Sequence, residues 1–506
     1  MSAADKLDLT VAVAAEFRID TRQEPVLFLR SDSPVARSEG FEAMSRVNVR
    51  AGSSSIVATL MIVGEGVLPP GYAGLSDAAK RLLQVNRETR LEISYPQPVS
   101  SLTYVRSKIY GNELQPDECS AIIEDIVAGR YMDVHLAAFV SACSGRNLSR
   151  NEVVSLTKAM VEAGEQLDWP GMKTVDKHCV GGLPGNRTTP IIVPIVASLG
   201  LAMPKTSSRA ITSPSGTADT MEILAPVDLS TDQMRHVVES EGGCIVWGGS
   251  VRLSPADDTL IRVERALDVD SEGQLVASVL SKKLAAGSDL VVIDMPVGPT
   301  AKVRSVRAAE AMTDQLQFVG ASLGLSVHVV TSDGLQPVGR GVGPALEARD
   351  VLSVLQGEES APADLRDRAV CLAGVLLETG GRAAIGHGRS QAERALDDGS
   401  AWRKFQAICE AQGGIREIPQ APYRYEVFAD RPGDIEAIDN RVIARIAKLA
   451  GAPADKAAGV DMSVRLGDTV DKGDLLFTIH AESPGELEYA LQFEREQAAS
   501  IQIGDS

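Results

Sequence analysis

Two loops concentrate the residue types that hold anions. In "TVDKHCVGGLPGNRTTPIIVPIVASLG" (Thr174–Gly200), Lys177 and His178 end a strand-like run. Gly181, Gly182 and Gly185 follow, then a helical stretch for which Thr189 is a natural N-cap and Pro190 a natural first residue. A glycine loop that feeds a helix N-terminus brings backbone N–H groups toward an anion, and Thr188 adds a hydroxyl. This is the layout of a phosphate site without the Walker sequence GxxxxGK[ST]. In "KTSSRAITSPSGTADTMEIL" (Lys205–Leu224), the hydroxyls of Ser207, Ser208, Thr212, Ser213, Ser215 and Thr217 surround Arg209, and Gly216 precedes a second helix. Asp219, with Glu222 three residues on, could cap that helix. Glycines alone mark a turn, and hydroxyls alone mark a loop. Two such loops, each leading into a helix, point to two parts of one ligand.

Ser278 and Lys282 in "ASVLSKKLAAG" are spaced i, i+4, so one helix face can present both, although a solvated basic face is the ordinary reading of such a pair. His178 lies between Lys177 and the glycine loop, which favours a ligand role over a buried structural one. His135, His236, His328, His387 and His480 form no metal-ligand spacing, so no catalytic metal is expected. No GxSxG or Ser-His-Asp arrangement is visible, and "GRGVGP" (Gly339–Pro344) lacks the context of a dinucleotide fingerprint.

The elements that must position these residues follow from periodicity. Residues 8 to about 98 carry short β-rich runs ("VLFLRS", "RVNVRA", "SIVATLMIVG", "RLEISY") with one helix, "SDAAKRLLQV", giving an N-terminal β-rich domain over 1–98. "YPQPVSSLTYVRSKIYG" reads as a linker broken by two prolines. Apolar residues then recur at helical spacing over 103–168, to which 256–285 adds helices. Alternating strand and helix runs over 169–250 and 286–415 predict βα units around a mostly parallel sheet. From 416 to 506 the texture is β-rich again, and "GVDMSVRLGDTVDKGDLLFTIHA" resembles a biotinyl-carrier type of sandwich without its lysine hairpin.

Composition bounds the function. The chain has 506 residues, 44% hydrophobic and 23% charged, which fits several ordered domains. A net charge of −18 disfavours unspecific binding to nucleic acid or an anionic membrane, so any anionic ligand needs a local basic cluster. The six cysteines are scattered without CxxC, which fits a reducing cytoplasm. The N-terminus lacks the layout of a secretory signal, and the apolar run around Pro194 is too short to span a bilayer.

"DKHCVGG", "SSRAITSPSGTADTMEIL", "ASVLSKKLAAG", "VVIDMPVG", "QPVGRGVGPALEARDVL" and "FQAICEAQGG" occur in the order found in the thymidine and pyrimidine-nucleoside phosphorylases, and the chain resembles that family over roughly residues 103 to 500. "GGLPGNR", "KTSSRAITS" and the additional N-terminal domain resemble its longer branch, which contains AMP phosphorylase and bacterial chains named for thymidine phosphorylase. The resemblance implies an α/β fold: an α domain facing a large mixed α/β domain across a cleft, with an N-terminal β domain and a C-terminal α+β, barrel-sandwich-like domain. It implies phosphorolysis, in which inorganic phosphate is a co-substrate, no cofactor is used, and the N-glycosidic bond of a nucleoside or nucleotide is broken. It places phosphate on Lys177, Cys179, Thr188, Ser207 and Thr217, where Cys179 stands in place of the usual serine. It places substrate on Gly182, Ser208, Arg209, Ala210, Ile211, Thr212, Ser213, Thr217, Ser278 and Lys302. His178, Ser278 and Lys282 match base-holding positions, Arg262 matches an arginine with a one-residue shift, and Asp270 matches a proton donor. Asp270 can donate near neutral pH only if burial or a neighbour such as Asp268 raises its pKa. The resemblance also implies a homodimer or higher homo-oligomer.

The leading expectation is a phosphorylase of nucleoside 5′-monophosphates, with Lys205, Arg209 and Lys302 as the second anion site. A thymidine or pyrimidine-nucleoside phosphorylase is the close alternative. A magnesium-dependent phosphoribosyltransferase of anthranilate type and a non-catalytic scaffold are weaker readings.

Overall fold

The computed structural model describes residues 10–13, 19–21, 24–37, 41–85, 89–96, 98–145, 147–210, 213–267, 269, 271–496 and 500–504. Its elements run β1 (Thr10–Val13), β2 (Val26–Arg30), β3 (Arg46–Ala51), β4 (Ser54–Val63), β5 (Tyr72–Leu75), α1 (Asp77–Leu83) and β6 (Arg90–Ser94). Helices α2 (Leu102–Ile109), α3 (Pro116–Val127), α4 (Asp133–Cys143) and α5 (Arg150–Glu162) follow. Next come β7 (Val175–Cys179), α6 (Thr189–Ser198), β8 (Met203–Ser207), α7 (Thr217–Leu224), α8 (Thr231–Glu241), β9 (Gly243–Trp247), α9 (Pro255–Leu267), α10 (Glu272–Ala285), β10 (Leu290–Val297), α11 (Val306–Ser322) and β11 (Ser326–Asp333). The chain continues with β12 (Gly341–Val342), α12 (Pro344–Gln356), α13 (Ala363–Thr379), α14 (Gly388–Asp397) and α15 (Ser400–Gln412). It finishes with β13 (Tyr423–Phe428), β14 (Gly433–Ile438), α16 (Asn440–Leu449), β15 (Gly459–Met462), β16 (Thr469–Val470), β17 (Leu475–Ala481), α17 (Pro484–Glu496) and β18 (Ile501–Ile503).

The chain divides into two compact units, residues 1–159 with 256–271, and residues 160–255 with 272–506. In the first, the strands close a barrel in the order β1-β5-β2-β4-β3-β6. Alternation makes this possible: Val47, Val49, Leu91 and Ile93 are buried while their neighbours along β3 and β6 are not, so every second side chain fills the barrel. Ser76 joins helix to barrel, accepting from Ala79 N to cap α1 and from Val26 N at 3.0 Å. Helices α2 to α5 form the helical part. The stretch read as a linker is extended only to the prolines, because Leu102 onward is α2. What fixes α2 is a buried ion pair, Lys108 Nζ to Glu152 Oε1 at 2.6 Å, with Glu152 also accepting from Leu114 N and Ser149 N. A linker would leave such a lysine in water.

In the second unit, β11-β10-β7 form one parallel sheet and β8-β9 another, and a bridge from Thr174 to Ala202 joins them along β7 and β8. Seven of the eight residues of β10 are buried, the mark of a central parallel strand covered on both faces. Its core runs from Ile191, Ile192, Ile195 and Val196 of α6 to Leu365, Leu372 and Leu376 of α13 and Phe405 of α15. The C-terminal part has two sheets, β12-β15-β17-β13 and β16-β14-β18, with α16 and α17. β12 lies in the glycine-rich stretch "GRGVGP" and pairs antiparallel with β15, so that stretch is a strand as well as a connection. α10 belongs to this unit, whereas residues 256–271 belong to the first. The fold class is the expected one: mixed α/β, with an N-terminal β region, a helical part, an α/β part and a C-terminal α+β part.

Candidate functional site

The ends of β7 and β8 carry the two loops singled out above, on the edge where open α/β sheets bind ligands. Beneath them lies a buried cluster of charge. Asp176, fully buried on β7, accepts from Lys205 Nζ at 2.9 Å and from Lys283 Nζ at 2.6 Å, and Lys205 also donates to the Lys177 carbonyl. Burial alone would push the Asp176 carboxyl up, but the two lysines outweigh it and hold the group below its ordinary value. Lys283 is lowered to about 7, chiefly by burial, against the opposing pull of Asp176.

Lys177 and Thr188 face each other, with Lys177 Nζ donating to Thr188 Oγ1 at 2.7 Å and standing 3.8 Å from Asp294 Oδ2 on β10. Their exposures are 1% and 0%, so contact with an anion requires a local rearrangement at this strand end. Thr188, not Thr189, is the N-cap of α6; its backbone is already helical and its side chain caps nothing, the hydroxyl having been taken by Lys177. Burial pushes Asp294 up, but Lys177, Arg368, Asn186 and Ser332 bring it below the usual range. Asn186 Nδ2 bridges Asp294 Oδ2 at 2.9 Å and Cys179 Sγ at 3.3 Å. Burial and then Asp294 raise the Cys179 thiol to about 11, so it is protonated and a weak donor at neutral pH. His178, partly buried, is held well below its ordinary 6.5 by burial and by Lys283, Lys205, Lys282 and Lys177. It is a neutral imidazole near pH 7.

The glycine loop is forced by space as well as by conformation. Gly182 has φ +84°, and a Cβ there would lie 2.3 Å from Lys302 N. Lys302 itself is exposed at the surface. Ser278 and Lys282 share a partly exposed stripe of α10, with the buried Lys283 on its other face.

In the second loop, Asp219 is the third residue of α7 rather than its cap; Gly216 is the cap, and Asp219 Oδ2 accepts from Gly216 N at 2.9 Å and from Ala210 N at 2.6 Å. Ser207 and Thr217 are partly exposed, and Ser208 and Ser213 are exposed. Ile211, Thr212, Asp268 and Asp270 lie outside the described residues. Two cations expected at a second anion site are committed elsewhere. Lys205, 4% exposed, is held by Asp176. Arg209 makes paired 2.8 Å hydrogen bonds to Glu222, stands 5.0 Å over Trp247, and has its pKa raised first by the Glu222 hydrogen bonds. Glu222 is lowered to about 2 by the Arg209 hydrogen bond, and Lys456 reaches it too at 2.6 Å. Arg262 donates to Asp133 at 3.1 Å in the first unit.

Sequence reasoning missed Asp176, Asn186, Arg187, Lys283, Asp294, Glu347 and Arg368. The available signal was a carboxylate inside an otherwise apolar strand run, as in "VVIDMPVG", since such a group must be paired. Among the described residues no helix is long and apolar enough to cross a membrane.

Residues 171–402 match the Glycosyl transferase family a/b domain, 102–164 the Glycosyl transferase family helical bundle domain, and 435–500 the Pyrimidine nucleoside phosphorylase C-terminal domain. The "Putative thymidine phosphorylase" of Polaromonas sp. (strain JS666 / ATCC BAA-500) is 60% identical over 485 residues, 96% of this chain and 95% of that one. A protein of the same name from Legionella pneumophila subsp. pneumophila (strain Philadelphia 1 / ATCC 33152 / DSM 7513) is 56% identical over 488 residues, 96% and 94% of the two chains. The crystal structure of anthranilate phosphoribosyltransferase from Thermus thermophilus matches 61% of this chain and 98% of its own with a TM-score of 0.52 at 21% identity, a likeness of fold. The protein is a pentosyltransferase enzyme of the nucleoside phosphorylase kind, and the chain belongs to the thymidine/pyrimidine-nucleoside phosphorylase family.

Proposed function

We propose that the enzyme cleaves the N-glycosidic bond of a pyrimidine nucleoside with inorganic phosphate. A phosphate oxygen bonds to C1′ as the C1′–N bond breaks; the base leaves with the bonding pair and takes a proton, and a pentose 1-phosphate remains. The observation that carries this reading is the excess of buried cation at the end of β7. Lys177 and Lys205 are buried, the side chain of Arg368 is 11% exposed, and the buried Lys283 carries part of a charge near pH 7; among the described residues the carboxylates paired with these four are Asp176 and Asp294. An anion supplies the missing negative charge.

Charge also develops on the departing base. Lys282, on the partly exposed face of α10, offers a cation to it, Ser278 a hydroxyl, and His178 a neutral ring N–H. Asp270 keeps the proton-donor role that the resemblance gives it. Phosphate is assigned to Lys177, Thr188, Ser207 and Thr217, with Cys179 a weak fifth donor.

A nucleoside 5′-monophosphate is the second reading. Of the three cations expected to hold its phosphate, Lys205 and Arg209 are paired with carboxylates and Lys302 is exposed beside Gly182; what supports this reading is the resemblance to the AMP phosphorylase branch. The test is chromatographic release of free base from thymidine, uridine, UMP, CMP and AMP, each with and without phosphate. Phosphate-dependent release from thymidine or uridine supports the first reading, release from a monophosphate alone replaces it with the second, and release from none removes both.

A further inference from the structure

Arg187, at the end of the glycine loop, reaches across to the second loop and uses all three guanidinium nitrogens. Its Nε donates to Glu347 Oε2 at 2.6 Å, its Nη2 to the Ser215 carbonyl at 2.9 Å and its Nη1 to Thr217 Oγ1 at 3.2 Å. The acceptor side is equally fixed: Glu347, 1% exposed, also accepts from Thr220 Oγ1 at 2.7 Å, so the carboxylate cannot swing away. A guanidinium has donors and no acceptor, so the hydrogen bond to Thr217 fills a lone pair of the hydroxyl and turns its proton elsewhere. Among the described residues no acceptor for that proton is seen, and Thr217 is partly exposed at the start of α7, where backbone N–H groups also favour an anion.

We infer that Arg187 is a positioning residue that makes the Thr217 hydroxyl an obligate donor to the phosphate co-substrate. The inference rests on the phosphate assignment above. Lys177 does the same to Thr188, so a threonine hydroxyl in each loop has its direction set by a cation of the first. Neutral hydroxyls left to rotate can accept as well as donate, and part of their value to an anion is lost.

The test is calorimetric titration of the full-length protein with inorganic phosphate. Arg187→Lys keeps a positive charge beside Glu347 but loses the planar fork. It should weaken phosphate binding about ten-fold, as should Thr217→Val, since a hydrogen bond to a charged group is worth about that factor. The double variant should be weakened no further than either single one, because the two residues act through one hydrogen bond. Thr217→Ser should bind as the wild type does, and the thermal midpoint of Arg187→Lys should stay near the wild-type value. Unchanged phosphate binding in Arg187→Lys, losses that multiply to about 100-fold in the double variant, or a wild type that binds no phosphate would each overturn the inference. A wild type that binds phosphate with this pattern yet releases no base would leave Arg187 its role and remove the phosphorylase reading.

Discussion

At the scale of single residues, the site is governed by which groups keep their charge. His178 stands among four lysines, so the imidazolium is opposed both by burial and by like charge. Its folded-state pKa is therefore lower than its unfolded value of 6.5. Above 6.5 both states carry a neutral ring and the residue costs nothing. As pH falls below that value the unfolded chain takes up the proton and the folded one does not, so stability declines with acidification, by at most about 1.4 kcal/mol per pH unit for one such group. Comparing urea midpoints at about pH 7.5 and 5.5, His178→Gln should lose less stability than the wild type over the interval. Because the carboxylates are common to both proteins, their titration cancels in the difference. Equal losses in the two proteins would mean that His178 titrates normally and that the lysines around it are screened.

At the scale of elements, the β7 loop is a case where two glycines look alike in sequence and differ in structure. Gly181 has φ +96° and open space around an added Cβ, whereas Gly185 has φ +71° and would place that atom 2.1 Å from the Val338 carbonyl oxygen. Gly181→Ala should therefore cost only the conformational term of about 1 kcal/mol. Gly185→Ala must also push the loop off Val338 and should cost about 3 kcal/mol, read as a lower urea midpoint; equal costs would show that the loop is free of that contact. This contrast marks how far the sequence could be read. Strand, glycine loop and helix were legible at Thr174–Gly200 because each is a local pattern. The partners were not: Lys205 and Lys283 reach Asp176 across 29 and 107 positions, and Arg187 reaches Glu347 across 160. A lysine or arginine among hydroxyls looks available for a ligand until the fold brings a carboxylate to it, which is why Lys205 and Arg209 were expected at a phosphate and their partners Asp176 and Glu222 were not. An apolar run can flag Asp294 as a carboxylate that must be paired, but its partners and those of Asp176 come from strands and helices that only the fold brings together.

At the scale of the whole molecule, a chain of net charge −18 must admit an anion. The cations proposed to attract phosphate are buried at one strand end, so their field is short in range, while the surface charge acts at a distance. That distance is set by salt, the screening length falling from about 30 Å at 0.01 M to about 8 Å at 0.15 M. A dianionic substrate is thus repelled on approach at low ionic strength and released from that repulsion as salt is added, whereas a neutral nucleoside feels neither effect. Raising potassium chloride from about 0.01 to 0.15 M should increase kcat/KM for inorganic phosphate about two- to three-fold, with the nucleoside saturating. It should leave kcat/KM for the nucleoside, at saturating phosphate, unchanged. If the phosphate value falls with salt instead, the buried cations reach beyond the surface and steer the anion inward. The charge of the site, and not that of the whole chain, would then govern encounter.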